Sequence, residues 1–503
     1  MKNLMALMAV TTTMTAAATA AAPAGSYFAL YPDDTGAFAT ISASSHIDRT
    51  GPFFQSLGSN GRSCSTCHQA DQAMGIAPPQ IRQRFAQTRG RDPLFTAVDG
   101  ANCPTAAVGD KSAHSLLLDH GLIRIAITLP ATAQFTVSVA HDPYGCALNK
   151  DPQSGLVTVS QYRRPLPTTN LRYLSTLMFD GRESPATSAL NNPATFAANL
   201  QADLIHQAQS AITTHAQSIG PATTQQLADI VAFEMTLTTA QIYDRDAGVL
   251  DARGALGGVN YLSAVSYHPG VNDVLGADPA GAAFNPASMS LFSAWVGIQP
   301  RGAEDRGQEF EFGRNEPFAF DRAAARRDIA AGEVLFNSAP LTITSVRGLN
   351  DNPAIGPSLK GTCTTCHDTP NVGDHSLPLP LDIGTAHTPR SGLESDPNIV
   401  NAMAELDEPD LPVYLISGCP NPFGSAPVSF YTTDLGKGAV TGLCGDLNRV
   451  KGPILRGLAA RAPYFHNGAA STLQQAVNFY NQRFSMNLSD DQKRQLVVFL
   501  NSL

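Results

Sequence analysis

The chain has 503 residues, 43% of them hydrophobic, which is enough for two or more domains with ordinary cores. Its formal net charge of −9 excludes the basic surface that nucleic acid binding requires. The 41 glycines and 35 prolines are spread among apolar segments instead of forming low-complexity tracts, a composition that fits an ordered protein with long loops.

In chain order, residues 1–22 read as a cleavable export signal. Lys2 precedes a modest apolar stretch from Leu4 to Val10, and an Ala/Thr-rich run ends in small residues near Ala20 to Ala22. That stretch is too short and too rich in threonine to span a bilayer. No other segment approaches the roughly twenty apolar residues of a membrane helix, so a periplasmic protein without a membrane span is expected. Residues 26–60 read as irregular and lead into the string CSTCH, Cys64 to His68. Between Leu116 and Tyr162, IRIAITL, QFTVSVA and LVTVSQY alternate apolar and polar residues between turn signals, which predicts short strands in a small β insertion. Helical spacing runs from Asp203 to Gln241 and predicts two helices parted by Gly220 and Pro221. A glycine-rich connection follows over Gly248 to Gly281. Near Asp321, RAAARRDIAAGEVLF has the periodicity of a helix opening a second unit, which contains CTTCH at Cys363 to His367 and an insertion around Cys419 and Cys444.

The two CxxCH strings carry the chemistry. Each pair of thiols can take up the vinyl groups of one haem, and the adjoining histidine then sits beneath the iron. Cys64, Cys67 and His68 are thus expected to hold one c-type haem, and Cys363, Cys366 and His367 a second. The remaining four cysteines fall as one close pair in each half. An oxidising compartment permits disulfides, and Cys103 with Cys146 and Cys419 with Cys444 is the simplest pairing, although spacing alone leaves free buried thiols as the alternative.

Together with these motifs, FDGRE at Phe179 to Glu183 and LRGLAARAPYFHNGAASTLQQAV at Leu455 to Val477 resemble the bacterial di-haem cytochrome c peroxidase family, including its MauG-type branch. The pattern and the resemblance lead us to expect a mainly α fold: two cytochrome c-like haem domains with a small β insertion in the N-terminal half. The first would be a peroxidatic domain over residues 23–320, including the connecting segment, and the second an electron-transfer domain over residues 321–503. The resemblance implies reduction of hydrogen peroxide at the N-terminal haem, with electrons or oxidising equivalents exchanged through the C-terminal one. The implied partner is a small periplasmic redox protein or a protein substrate. A di-haem oxygenase acting on an organic polymer or alkene, and a non-enzymatic electron carrier, are the alternative classes.

The resemblance also points to individual residues. The distal ligand of the C-terminal haem lies fourteen residues beyond the histidine of PYFH, at Tyr480, where peroxidases commonly have methionine and MauG-type proteins tyrosine. Locally, Ser471 and Thr472 with Gln474 and Gln475 predict a capping box, and Leu473, Ala476, Val477 and Tyr480 share one helix face. Met486 and Met403 are the competing ligands. For the distal pocket of the N-terminal haem, Gln207 matches the family's active-site glutamine. The family's glutamate position falls on Gln217, which cannot carry a proton, so His215 and Glu234 are the acid–base candidates. The tryptophan that relays electrons in compact members is replaced by Phe179, which makes Trp295, the only tryptophan, the candidate bridge between the haems. His466 is assigned a supporting role, and His46, His114, His375 and His387 structural ones. A calcium ion, bound in part by backbone carbonyls between Arg461 and Pro463, is also implied.

Overall fold

The computed structural model describes residues 27–503 apart from 45, 186–191, 277, 303–304, 310–317, 374–378, 389–395 and 421–427. Residues 1–22, expected to be an export signal, and His375 lie outside the described residues. The fold is mixed: among the described residues strands in several sheets stand beside the helices, which overturns the expectation of a mainly α protein.

Part of the difference lies in residues 26–60. Tyr27–Pro32 and Gly36–Ser42 form an antiparallel hairpin, extended by Leu237–Asp244 and Gly248–Val249 into a four-stranded sheet. Asp33 makes the turn by accepting the backbone N–H groups of Thr35 and Gly36, both at 2.8 Å. Glycine is required at 36, because a Cβ there would lie 2.2 Å from the carbonyl oxygen of Tyr243. The strand Gly36–Ser42 is buried along its whole length, so it lacks the polar alternation that marks a half-exposed strand.

The β insertion of the first half does not stand alone. Ile123–Thr128, Leu148–Lys150 and Val157–Arg163 form one sheet, but Thr136–His141 pairs with Val413–Cys419 of the second half, which in turn pairs with Val428–Thr432. The two insertions thereby form a single β body around Phe135, Val159, Tyr414, Ile416 and Leu447. Disulfides Cys103–Cys146 and Cys419–Cys444 brace it, which is the pairing expected from the spacing. Buried Arg163 anchors it, with Nε 2.6 Å from Asp434 and Nη1 2.5 Å from Asp180 of the FDGRE string. Removing one partner of such a triad strands an uncompensated buried charge.

Of the helical stretch expected over residues 203–241, two helices form as Pro193–Thr214 and Thr224–Met235, parted around Gly220 and Pro221. Residues 237–241 are instead the start of the strand Leu237–Asp244, whose residues pair with Gly36–Ser42. The helix Arg322–Ser338 forms as expected. The last packs against Asp490–Asn501 at Gly332, where a Cβ would come 2.1 Å from the carbonyl oxygen of Gln495. Among the described residues, no helix is long and apolar enough to cross a membrane.

Candidate active site

Both CxxCH strings fold alike. Cys64–Thr66 and Cys363–Thr365 are single 3-10 turns closed by reciprocal capping boxes, Ser63 with Thr66 and Thr362 with Thr365. Each turn brings its two sulfurs and the following imidazole to the edge of a cavity, of about 190 Å³ at the first motif and about 230 Å³ at the second. His68 Nδ1 lies 3.1 Å from the carbonyl oxygen of Met74, and His367 Nδ1 lies 3.2 Å from that of Val372. A carbonyl only accepts, so Nδ1 carries the proton and Nε2 is left as the metal-binding nitrogen. Burial lowers His68 to about 4 and lowers His367 as well, which keeps both rings in the neutral, ligating form. None of the four sulfurs is in a disulfide, and burial pushes Cys64 and Cys363 up to about 12 and Cys67 to about 11. This donor set, two thiols outside any disulfide and an oriented neutral imidazole beside a mainly apolar cavity, fits a covalently attached haem.

The first cavity is walled on one side by the helix Pro193–Thr214. Its residues Leu204, Gln207, Ala208, Ala211 and Ile212 recur at helical spacing toward the cavity, and His215 caps the end. His215 Nδ1 lies 2.5 Å from Asp99 Oδ2, and the other oxygen of Asp99 pairs with Arg62. Burial pushes the Asp99 carboxyl up, but its bond to His215 and the charge of Arg62 outweigh that and hold it below the usual carboxylate range. The stretch before the motif closes on this helix end. Asn60 Nδ2 donates to the His215 carbonyl at 2.8 Å, and Gly58 passes so near Ala216 that a Cβ would lie 1.8 Å from its carbonyl oxygen. Gln217 is exposed and serves this same seam, accepting the Ser59 hydroxyl on its carbonyl at 2.8 Å.

Glu234 also lines the first cavity, yet it is tied to the other side of the site. Thr168 donates its hydroxyl to Glu234 Oε1 at 2.8 Å and its N–H to the Met74 carbonyl at 3.0 Å, the same carbonyl that orients His68. Among the described residues the Oε2 atom of Glu234 is buried without a hydrogen-bond partner, and burial pushes the carboxyl up to about 7.

The helix Leu473–Arg483 begins with the capping box Thr472 and Gln475 and presents Leu473, Ala476, Val477 and Tyr480 to the second cavity. Burial, then the neighbouring Cys366 and Cys363 thiols, push the Tyr480 phenol up. Met486 lines the same cavity, whereas Met403 packs with Ile399, Ala402 and Phe479. His466 stands in the cavity wall with its ring 6.0 Å from that of Phe179, and burial lowers it to about 4.

The two cavities share a wall made of Arg164 to Pro167, Phe179, Lys451 and Ile454. The Lys451 N–H donates to the Phe179 carbonyl across it at 2.7 Å. Trp295 lines neither cavity. It is fully buried against Phe292 and Arg326, and its Nε1 donates to the Ala252 carbonyl at 2.9 Å. Of the histidines expected at surface or structural places, His46 is exposed, His114 bridges the carbonyls of Asp110 and Phe95, and His387 pairs with Asp382. The Arg461 carbonyl does not fit calcium, because the guanidinium of Arg164 already lies against it at 3.3 Å.

Asp99, Arg62, Thr168 and Arg164 escaped the sequence reading. Asp99 sits in an ordinary Asp-Gly turn string, and only the tertiary approach of a helix end 116 residues away gives it a partner.

No protein-family model matches the chain. The chain is 33% identical over 156 residues to the cytochrome-c peroxidase IdrP2 of Denitromonas iodatirespirans, covering 29% of this chain and 36% of that relative. It is 29% identical over 151 residues to the cytochrome-c peroxidase IdrP2 of Pseudomonas sp. (strain SCT). The chain thus spans about a third of the length of the curated relatives it matches, at 36% in each case.

Proposed function

We propose that this protein is a di-haem c-type peroxidase of the MauG-type branch. One haem is attached at Cys64, Cys67 and His68 and reacts with hydrogen peroxide; the other, at Cys363, Cys366 and His367, exchanges electrons or oxidising equivalents with it. The observation that carries this reading is the contrast between two cavities that share a wall. The first contains a histidine held by an ionised carboxylate, a proton-moving arrangement; the second is lined by a tyrosine and a methionine that can close a coordination position.

Bound haem supplies an iron able to coordinate peroxide at the first site and a one-electron carrier at the second. The chain supplies the proton chemistry. With Nδ1–H fixed on Asp99, Nε2 of His215 accepts a proton from the inner oxygen of peroxide and delivers it to the leaving oxygen. Gln207, two turns earlier on the same helix face, orients the peroxide through its amide. Tyr480, which lines the second cavity, would hold the C-terminal haem iron as a phenolate, an anionic hard donor that would favour oxidised iron as in the MauG-type design. Exchange between the two haems would pass the shared wall at Phe179 and Lys451, which line both cavities, whereas Trp295 lines neither. The export signal and the haem attachment support a periplasmic location, with a small redox protein as donor.

Stopped-flow mixing of the holoprotein, reduced by one electron equivalent per haem, with hydrogen peroxide tests the reading. Haem reoxidation with consumption of peroxide is expected. Turnover of an alkene with dioxygen and no peroxide would select the oxygenase class, and inertness toward both would select the electron carrier.

A further inference from the structure

Arg164 is buried and lines both cavities, and its guanidinium is surrounded by backbone oxygens. Nη2 donates to the carbonyls of Ile76 at 2.9 Å and Arg461 at 3.3 Å, and Nη1 to those of Gly121 at 3.2 Å and His120 at 3.4 Å. These carbonyls come from three separate places: the loop after the first CxxCH motif, the end of the helix Ser115–His120, and the stretch before the second cavity's His466. The Arg164 backbone N–H adds a bond of 2.7 Å to the His466 carbonyl. The cage is shaped for a guanidinium. Gly121 has φ of +64°, and a Cβ on it would lie 1.7 Å from Nη1. Among the described residues no carboxylate forms an ion pair with Arg164; its guanidinium donates to carbonyl oxygens.

A ring of convergent carbonyl oxygens is how proteins hold a hard cation such as calcium, at about 2.3–2.6 Å from each oxygen. A metal seated on the Arg461 carbonyl would be pressed against a second positive group. We propose that Arg164 is itself the structural cation of the seam between the two cavities, occupying the carbonyl cage in place of a divalent metal, and that its fixed charge raises the reduction potential of the groups on both sides. A nearby positive charge favours the state that has gained an electron, and low-dielectric surroundings strengthen the effect. Burial and the like charge of Arg461 lower Arg164 only to about 10, so the charge persists at neutral pH. The claim about potentials rests on the haem reading above; the claim about the cage does not.

The test compares holoprotein of wild type, Arg164→Met and Arg164→Lys by metal analysis after dialysis against a calcium chelator, by thermal unfolding, and by potentiometric titration followed in the haem absorption bands. Wild type is expected to lack stoichiometric calcium, and neither chelator nor added calcium should move its Tm. Arg164→Met should lower the Tm and shift both midpoint potentials downward, whereas Arg164→Lys should keep the potentials near wild type while losing part of the stability. Stoichiometric calcium whose removal lowers the Tm would overturn the proposal, as would unchanged potentials in Arg164→Met. Should that variant fail to fold, Arg164→Lys with full wild-type stability would overturn it instead. A protein without haem would defeat the haem reading while leaving the metal analysis and Tm comparison valid.

Discussion

His215 Nδ1 and Asp99 Oδ2 are 2.5 Å apart although 116 residues separate them in the chain. The contact fixes one imidazole tautomer, and the Arg62 partner keeps Asp99 ionised to do so. His215→Ala is expected to slow peroxide-dependent haem oxidation by about 10²–10⁴-fold, the range attributed to a positioned general acid–base. Asp99→Asn keeps the ring but loosens its tautomer and should give a smaller loss. Stopped-flow rates of both variants, at saturating peroxide, check this order.

Glu234 makes stability pH-dependent in an unusual direction. Its carboxyl ordinarily titrates near 4.5, and burial raises it to about 7 in the folded protein. Between those values the folded chain keeps a proton that the unfolded chain has released, so stability falls as pH rises through the window and levels off above it. Glu234→Gln should flatten that fall, by an amount on the order of 1–3 kcal/mol. Denaturant unfolding of both proteins across the window measures the slope.

Cys419 and Cys444, 25 residues apart in sequence, close the β body formed jointly by both halves. Replacing both with alanine should cost about 3 kcal/mol from loop entropy regained by the unfolded chain. The longer Cys103–Cys146 loop, 43 residues, should cost slightly more. Chemical denaturation of each double variant gives both numbers.

Tyr480 and Met486 line the same cavity, and substitution separates them. Tyr480→Phe should change the low-temperature EPR spectrum of the C-terminal haem, whereas Met486→Leu should leave it unaltered. The opposite outcome would assign the axial position to methionine.

The parts of this protein legible in the sequence are those whose physics is local. The CxxCH turns, the capping box at Thr472 and Gln475, and the helix beginning at Arg322 each sit within a few residues of their signal. The hairpin Tyr27–Ser42 was missed although its Asp-Asp-Thr-Gly turn was visible, because a fully buried strand of alanine, phenylalanine and threonine lacks alternation. The joining of Thr136–His141 to Val413–Cys419 had no sequence signal, since strand pairing across 281 positions is decided by burial of shared apolar faces. The same holds for the site. Gln207, His215 and Glu234 all reach the first cavity, but the assignment of His215 to Asp99 and of Glu234 to the His68 side depends on contacts that only the fold creates. Trp295 stands out by rarity and by its place in the chain between the two haem segments, but chain order does not fix position in space, and it packs in the core beside Phe292 and Phe336 without lining either cavity.

The most direct test of the central claim is EPR of the oxidised holoprotein before and after one equivalent of hydrogen peroxide. Two distinct ferric signals are expected, one from each site, with the signal of the His68 site lost on addition of peroxide in wild type and retained for far longer in His215→Ala. A single haem signal, or two signals that peroxide leaves unchanged in wild type, would contradict it.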